Sequence, residues 1–262
     1  MKLSISNIAW TLENDENVYG MMKQYGFEGL EIAPTRIFPE KPYDKNDEAK
    51  QWAEDIYNGY GLSVSSMQSI WYGVQEKIFG TEEERKILLE YTKKAIDFAV
   101  SIKCKNLVFG CPRNRNIPEG VNDDVAVSFF KELGDYAYSV GTVIGMEANP
   151  TIYNTNYINT TESALELIDR VNSKGFKLNL DIGTTIQNQE DLEVLKNNVS
   201  KINHVHISEP GLKPIEECGL HKELYKILEA EGYQGYVSIE MGKVDDIDVV
   251  EQKMSYLRSV FA

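Results

Sequence analysis

A short run of strand-forming residues followed by a helical pattern recurs eight times along this chain, and that recurrence constrains the fold more than any other feature. The runs are rich in Val, Ile, Leu, Phe or Tyr, as strands buried between two layers should be. The candidate strands are Lys2–Ile8, Gly29–Ala33, Leu62–Gln68, Asn106–Cys111, Thr142–Glu147, Phe176–Asp181, Ile202–Ser208 and Gly235–Glu240. Eight units in 262 residues take about 33 residues each, which is the size of a βα repeat.

The segments between these runs have the spacing of amphipathic helices. The clearest is Glu82–Ile102, with apolar residues three and four positions apart. Thr81 before it and Glu84 three positions later form a capping box, which marks a helix start. Further helices are predicted at Thr161–Val171, at Leu220–Glu231 with Gly232 as the C′ glycine, and at about Asp246–Val260.

Alternating strands and helices fit either a closed barrel or an open doubly wound sheet. The open sheet usually has fewer strands and a glycine-rich first turn, and no GxGxxG follows the first strand here. We therefore predict an α/β fold, a single (β/α)₈ TIM barrel in which residues 1–262 form one domain.

Charge and cysteine content narrow the functional classes. The net charge is −14, and such a surface repels nucleic acid, although a small anionic metabolite remains possible at a local basic cluster or a metal. Three cysteines without CxxC spacing indicate reduced thiols. We find neither a signal peptide nor an apolar run long enough to span a membrane. The expectation is a cytoplasmic protein without a nucleic-acid or membrane partner.

Four polar residues stand at the ends of the last four predicted strands. They are Glu147, Asp181, His206 and Glu240. Ligands of such barrels gather where the strands end, and an unpaired acidic residue there would be costly to bury. A single strand-end carboxylate is more often a helix N-cap or a salt-bridge partner, but four in register predict a shared cation. Three carboxylates and one imidazole favour Mn²⁺, Mg²⁺ or Co²⁺ over a structural zinc ion.

Five segments in register over nearly the whole chain resemble the xylose isomerase-like barrel superfamily, the sugar phosphate isomerase/epimerase group that also contains endonuclease IV. They are Gly26–Ile32, Met146–Pro150, Leu180–Gly183, His204–Glu209 and Gly232–Glu240. The resemblance implies that the four strand-end residues bind one divalent metal, with Mn²⁺ favoured and Mg²⁺, Co²⁺ or Zn²⁺ as alternatives. It also implies that Glu147 and Glu240 act as an acid-base pair on a ketose, through an enediolate.

The function implied by this resemblance is a metal-dependent isomerase or epimerase of a sugar or sugar phosphate. Two alternatives remain open: a metal-dependent lyase, such as a dehydratase of a keto-inositol or keto acid, and a non-catalytic sugar-binding barrel. Only three histidines are present, too few for a trinuclear zinc nuclease of the endonuclease IV type. Since relatives are often dimers or tetramers, a homo-oligomer is possible.

Several loop residues are candidate contacts for a small carbohydrate substrate. Arg113 and Arg115 follow strand four and Lys213 follows strand seven, where they either hold a phosphate or carboxylate or lie in a solvated loop. The other candidates are Gln68, Tyr153 and Glu209.

Two positions depart from the pattern of the relatives. Many of them have a histidine three positions after the strand-six Asp, where this chain has Thr184. Tyr153 stands where ketose 3-epimerases carry a second Glu, which weakens the case for a free ketohexose. Of the remaining histidines, we expect His204 in the core one layer below His206, and His221 at the surface or in a helix cap.

Overall fold

The computed structural model describes all residues 1–262 and contains eight parallel strands that close into a barrel in sequence order. The strands are β1 (Lys2–Ser6), β2 (Gly29–Ile32), β3 (Ser63–Met67), β4 (Leu107–Phe109), β5 (Ile144–Met146), β6 (Phe176–Asp181), β7 (Ile202–Ser208) and β8 (Tyr236–Glu240). Each lies within the segment predicted for it, and β6 and β7 have the predicted bounds. The predicted (β/α)₈ barrel is confirmed.

The register of the last three strands brings their polar ends to one level. Asp181 of β6 lies beside His206 of β7, and Ser208 of β7 lies beside Glu240 of β8. The sheet closes where β8 pairs with β1, with Ile5 opposite Ile239. Because all eight strands are parallel, their carboxyl ends share one rim, and the loops that leave this rim form the mouth of the barrel.

Nine α-helices surround the strands. They are α1 (Asp15–Gln24), α2 (Pro34–Ile37), α3 (Asn46–Tyr60), α4 (Glu82–Ser101), α5 (Asp124–Val140), α6 (Thr161–Val171), α7 (Ile182–Asn188), α8 (Gly219–Ala230) and α9 (Ile247–Phe261). The capping box at Thr81 and Glu84 is present at the start of α4. Gly232 follows α8 with φ 72°, a left-handed conformation that glycine adopts without strain, as predicted.

Apolar side chains fill the space between the strands and the surrounding helices. Phe130 of α5 packs against Phe109 of β4 and Phe176 of β6, with ring centroids 4.8 and 4.9 Å away. Burying one such side chain stabilises the fold by about 1.5–3 kcal/mol, so these contacts fix α5 on the barrel. None of the helices has the length and apolar character needed to cross a membrane.

Candidate metal centre

The four predicted strand-end residues meet at the mouth of the barrel. Glu147, Asp181, His206 and Glu240 each place one oxygen or nitrogen within 4.8 Å of the others. His206 is fully buried, whereas the three carboxylates keep 8–9% of their surface exposed. The cluster is therefore a polar floor that a small molecule in the mouth can touch.

The imidazole of His206 lies at the centre of this cluster. Its Nδ1 atom is 3.0 Å from Oε1 of Glu147 and 3.1 Å from Oε2 of Glu240. Its Nε2 atom points the other way, 2.8 Å from Oε2 of the buried Glu31. Nδ1 of His206 therefore faces the carboxylates of the cluster, and Nε2 faces Glu31 outside it.

Asp181 both caps a helix and belongs to the cluster. It is the N-cap of α7, where its Oδ2 accepts the backbone N–H of Thr184 at 2.9 Å and lies 2.7 Å from the Thr184 hydroxyl. Its Oδ1 accepts a hydrogen bond from the Ser208 hydroxyl. These contacts fix the carboxylate, and Oδ1 keeps a lone pair for a further partner. Thr184, the departure from the family pattern, thus holds the aspartate in place.

The Glu147 carboxylate is held from both sides. Asn179 of β6 donates to its Oε1 at 2.9 Å, and Asn149 donates to its Oε2 at 3.1 Å. Gly110, just after β4, leaves the room that this carboxylate occupies, because a Cβ atom there would lie 2.8 Å from Oε2. Arg115 holds the backbone below by donating to the Glu147 carbonyl at 2.8 Å.

The charges of the cluster are poorly balanced by the protein itself. Burial raises the pKa of Asp181, and the nearby charge of Glu147 raises it further. Burial also raises the pKa of Glu240, although His206 opposes this. For His206 burial lowers the pKa, but Glu240, Glu31 and Glu147 together raise it well above its ordinary value. Like charges this close repel one another, and a cation would relieve that repulsion.

The donor set fits a divalent cation by its chemistry. Three carboxylate oxygens and one imidazole nitrogen come from four successive strands and converge within 4.8 Å. Oxygen-dominated sets suit hard cations, and nothing in this set offers the thiolate typical of many structural zinc sites. Glu147, Asp181, His206 and Glu240 are therefore the residues that could hold a metal.

Two of the predicted substrate contacts lie close to this floor. The Tyr153 side chain is half-buried, its hydroxyl accepts the N–H of Gly211 at 2.9 Å, and its pKa is raised by burial and by the cluster carboxylates. It thus joins the loop after β5 to the loop after β7 beside the cluster. Gln68 is 6% exposed and donates to Ser6 at 2.6 Å and to Glu31 at 3.2 Å.

Three other candidates lie on loops at the same end of the barrel. Glu209 follows β7, accepts the backbone N–H of Glu216 at 3.0 Å, and has a pKa raised by burial. Arg113 and Lys213 are exposed, on the loops after β4 and β7.

Arg115 is buried, whereas both predicted roles, a contact to an anion or a place in a solvated loop, need an exposed guanidinium. It is fully buried, and its guanidinium donates to the Glu147 carbonyl, to Oδ1 of Asn149 at 3.0 Å and to the Ile158 carbonyl at 3.2 Å. Burial lowers its pKa to about 10, so the group stays charged at neutral pH. The geometry gives Arg115 the task of fixing the loop after β5.

The predictions for the other two histidines have opposite outcomes. His204 lies in the core below His206, as predicted, with Nε2 3.1 Å from Oε2 of Glu31. The prediction that His221 lies at the surface or in a cap is wrong: it is fully buried, with Nδ1 2.9 Å from the hydroxyl of Tyr256. The packing of α8 against α9 covers it, and the residues around His221 in the sequence do not reveal this contact between two helices.

Sequence reasoning missed the polar residues beneath the cluster. Glu31 contacts His206, and Asn179 contacts both His206 and Glu147. Asn179 lies two positions before Asp181 on β6, so the two side chains share a face of the strand, a signal available in the sequence. Glu31 is an acidic residue within an otherwise apolar strand, which is a similar signal.

Comparison with known proteins identifies the family. Residues 21–260 match the model of the xylose isomerase-like TIM barrel family, and the chain belongs to that family.

Among curated proteins, the chain is similar to an inosose dehydratase of Clostridium perfringens (strain 13 / Type A). The two are 23% identical over 273 aligned positions, covering 92% of this chain and 89% of the relative.

Solved structures share the fold over its whole length. The 3-keto-D-glucoside 4-epimerase of E. coli superposes with a TM-score of 0.76 at 22% identity, covering 99% of both chains. The D-psicose 3-epimerase of Clostridium cellulolyticum H10, solved with D-tagatose, superposes with a TM-score of 0.79 at 16% identity, covering 100% of this chain and 99% of the other.

Proposed function

We propose that this protein is a divalent-metal-dependent isomerase or epimerase that acts on a sugar or a sugar derivative with a ketone group. The observation that carries the proposal is the convergence of Glu147, Asp181, His206 and Glu240 at the barrel mouth. The proposed metal is Mn²⁺, with Mg²⁺, Co²⁺ or Zn²⁺ as alternatives. When bound, the metal supplies Lewis-acid polarisation of the substrate carbonyl and its adjacent hydroxyl.

Glu147 and Glu240 are the proposed acid-base pair. They extend from β5 and β8, which are separated by two strands, so their carboxylates approach the mouth from different sides. In this arrangement one carboxylate removes the proton from the carbon next to the ketone, and the other returns a proton from the opposite face. Proton return to the same carbon inverts its configuration, whereas return to the adjacent carbon gives an isomer.

The choice of a carbohydrate rests on the relatives. The names of the 3-keto-D-glucoside 4-epimerase and the D-psicose 3-epimerase both describe epimerisation of a ketone-bearing sugar. Both reactions need a proton exchanged at a carbon near a carbonyl, which the paired carboxylates of this chain suit.

Substrate contacts are proposed for the residues that border the floor or the rim. Tyr153, Gln68 and Glu209 offer hydrogen-bonding groups to substrate hydroxyls, while Arg113 and Lys213 are the candidates for an anionic group. No substrate contact is proposed for Arg115, because its buried guanidinium already donates to the protein.

A second candidate is a dehydratase reaction on a keto-polyol. It is favoured by the similarity to the inosose dehydratase, which extends over 92% of this chain. The two reactions begin with the same proton removal, but in a dehydratase a hydroxyl group on the neighbouring carbon then leaves as water.

One experiment tests the proposal and separates the two candidates. Protein purified without chelator is analysed for bound metal, then incubated in D₂O with D-psicose, a 3-keto-D-glucoside or an inosose. We expect about one metal per chain and deuterium at one substrate carbon by NMR, without loss of mass. A product lighter by one water assigns the dehydratase, and absence of metal after loading contradicts both.

A further inference from the structure

Glu31 lies outside the proposed metal centre but contacts its only histidine. We propose that Glu31 is a positioning residue, whose carboxylate accepts the Nε2 proton of His206 and so leaves Nδ1 as the atom that binds the metal. This inference rests on the proposed metal site. It concerns the orientation and proton arrangement of the imidazole, which a static carboxylate can fix without touching the substrate.

The surroundings of Glu31 give its two oxygens different partners. The side chain is fully buried on β2, across the barrel from β6. Its Oε2 is 2.8 Å from Nε2 of His206, and its Oε1 accepts a hydrogen bond from the amide of Gln68 at 3.2 Å. Gln68 is fixed in turn by its hydrogen bond to Ser6 at 2.6 Å. The carboxylate therefore has little freedom to turn away from the imidazole.

Beside the other ring nitrogen lie two carboxylate oxygens, of Glu147 and Glu240 at 3.0 and 3.1 Å, which a bound cation would separate from its lone pair, and one amide donor. The Nδ2 atom of Asn179 lies 3.3 Å from Nδ1 of His206, and an amide NH₂ group can only donate. The orientation of this amide is set from below, since Asn106 donates to its Oδ1 at 3.2 Å. With Nε2 protonated toward Glu31 and Nδ1 free toward Glu147 and Glu240, the imidazole is preset for a cation on the Nδ1 side.

The same residues could be read as a second metal site. Ligand atoms of Glu31, His204 and His206 lie within 4.8 Å of one another. However, this group offers a cation only three ligand atoms, fewer than the four that converge at the mouth. All three side chains are at most 1% exposed, and a cation there would require His206 to bind two metals. The positioning role of Glu31 requires neither a cation in this buried space nor a histidine that binds two metals.

The first test measures metal affinity in Glu31→Gln. Because the Gln68 amide donates toward one oxygen of residue 31, the new side chain places its carbonyl there and its NH₂ group toward His206. That arrangement forces the imidazole proton onto Nδ1. We expect Mn²⁺ binding, measured by titration calorimetry, to weaken by about 10–100-fold, the range seen when such outer partners are removed.

A matched control separates this effect from general damage to the buried cluster. His204→Gln removes the other imidazole beside Glu31 but leaves the contact to His206. We expect its Mn²⁺ affinity to stay within about threefold of wild type, and thermal melting of both variants establishes that they fold. Equal affinity of Glu31→Gln and wild type would overturn the inference and leave the proposed metal site standing.

The second test uses the wild-type protein, so it does not depend on the folding of a variant. Nitrogen-15 NMR of the ring atoms, with diamagnetic Zn²⁺ bound, is expected to show a proton on Nε2 of His206 and coordination through Nδ1. Coordination through Nε2 would overturn the inference. So would two ions per chain, one of them lost in Glu31→Gln. Failure of the wild type to bind any metal would overturn the proposed function as well.

Discussion

Gly110 offers a sharp test of whether the position of the Glu147 carboxylate controls the site. The backbone at Gly110 is outside the left-handed region, so an alanine can adopt it. What the glycine provides is space: a Cβ atom would lie 2.8 Å from Oε2 of Glu147 and 3.4 Å from Oδ1 of Asn149. Gly110→Ala should therefore disturb the carboxylate more than the strand.

The size of the effect follows from that distance. Ordinary contacts begin at 3.4 Å, so the carboxylate must retreat by about 0.6 Å. It is not free to do so, since Asn179 and Asn149 hold its two oxygens. A displacement of about 1 Å in a catalytic group costs on the order of 10²-fold in rate, so about 0.6 Å should cost roughly tenfold or more. Metal affinity should fall in the same direction, because the same carboxylate is a proposed ligand.

The assay is deuterium incorporation into a ketose in D₂O, together with Mn²⁺ titration, in Gly110→Ala and a control. Gly20→Ala is the matched control, since Gly20 lies in helix α1 and a Cβ atom there meets nothing within 4 Å. Its exchange rate should be unchanged, and its stability should rise by about 0.5–1 kcal/mol through helix propensity. If Gly110→Ala also exchanged and bound metal like wild type, the inference that the position of the Glu147 carboxylate controls the site would be refuted.

Three further changes test other parts of the structure. Glu147→Gln and Glu240→Gln should each lower the exchange rate by about 10²–10⁴-fold while circular dichroism shows an intact fold, and retained exchange in both would remove the acid-base assignment. Tyr153→Phe breaks the hydrogen bond to Gly211, worth about 1 kcal/mol, so KM should rise about fivefold, and an unchanged KM would show that this bridge does not shape the mouth. Burial lowers the pKa of His221 from 6.5 to about 4, so its contribution to stability is present above pH 6.5 and is lost as the pH falls toward 4. Urea unfolding at pH 7 and pH 5 should show an excess loss of about 2 kcal/mol in wild type over His221→Phe, and equal losses would contradict it.

The strands and the main helices follow from local patterns in the sequence. The segments that form β6 and β7 are the longest of the eight, with six and seven residues, and each ends at a charged or polar residue. A capping box and twenty residues of amphipathic spacing mark helix α4 in the sequence. By contrast, α2 has only four residues, too few to show a helical period. It exists because Pro34 starts a turn in the loop after β2.

The strand-end cluster was predictable because parallel strands bring their carboxyl ends to one rim. The residues that orient the cluster were harder to predict, because their roles depend on partners elsewhere in the fold. Glu31 and Asn179 lie inside strands, where a polar residue is costly unless a partner from another strand reaches it. The role of Gly110 becomes apparent only in the structure, where the Glu147 carboxylate lies beside it. The role of Arg115 likewise depends on the path of the loop after β5, which no local pattern specifies.

Asp181 shows why single residues at strand ends are ambiguous in a sequence. A strand-end aspartate is most often a helix N-cap, and Asp181 is one, with Thr184 as its partner. The cap role and the site role do not compete, because capping occupies the lone pairs of Oδ2 and the Ser208 contact occupies one of Oδ1, while the other lone pair of Oδ1 stays free. In a parallel barrel each strand leads into a helix at the same rim where ligands bind, so the residue best placed to cap that helix is also well placed to bind a cation. The capping interaction orders the carboxylate before any metal binds, and this reduces the entropy cost of metal binding.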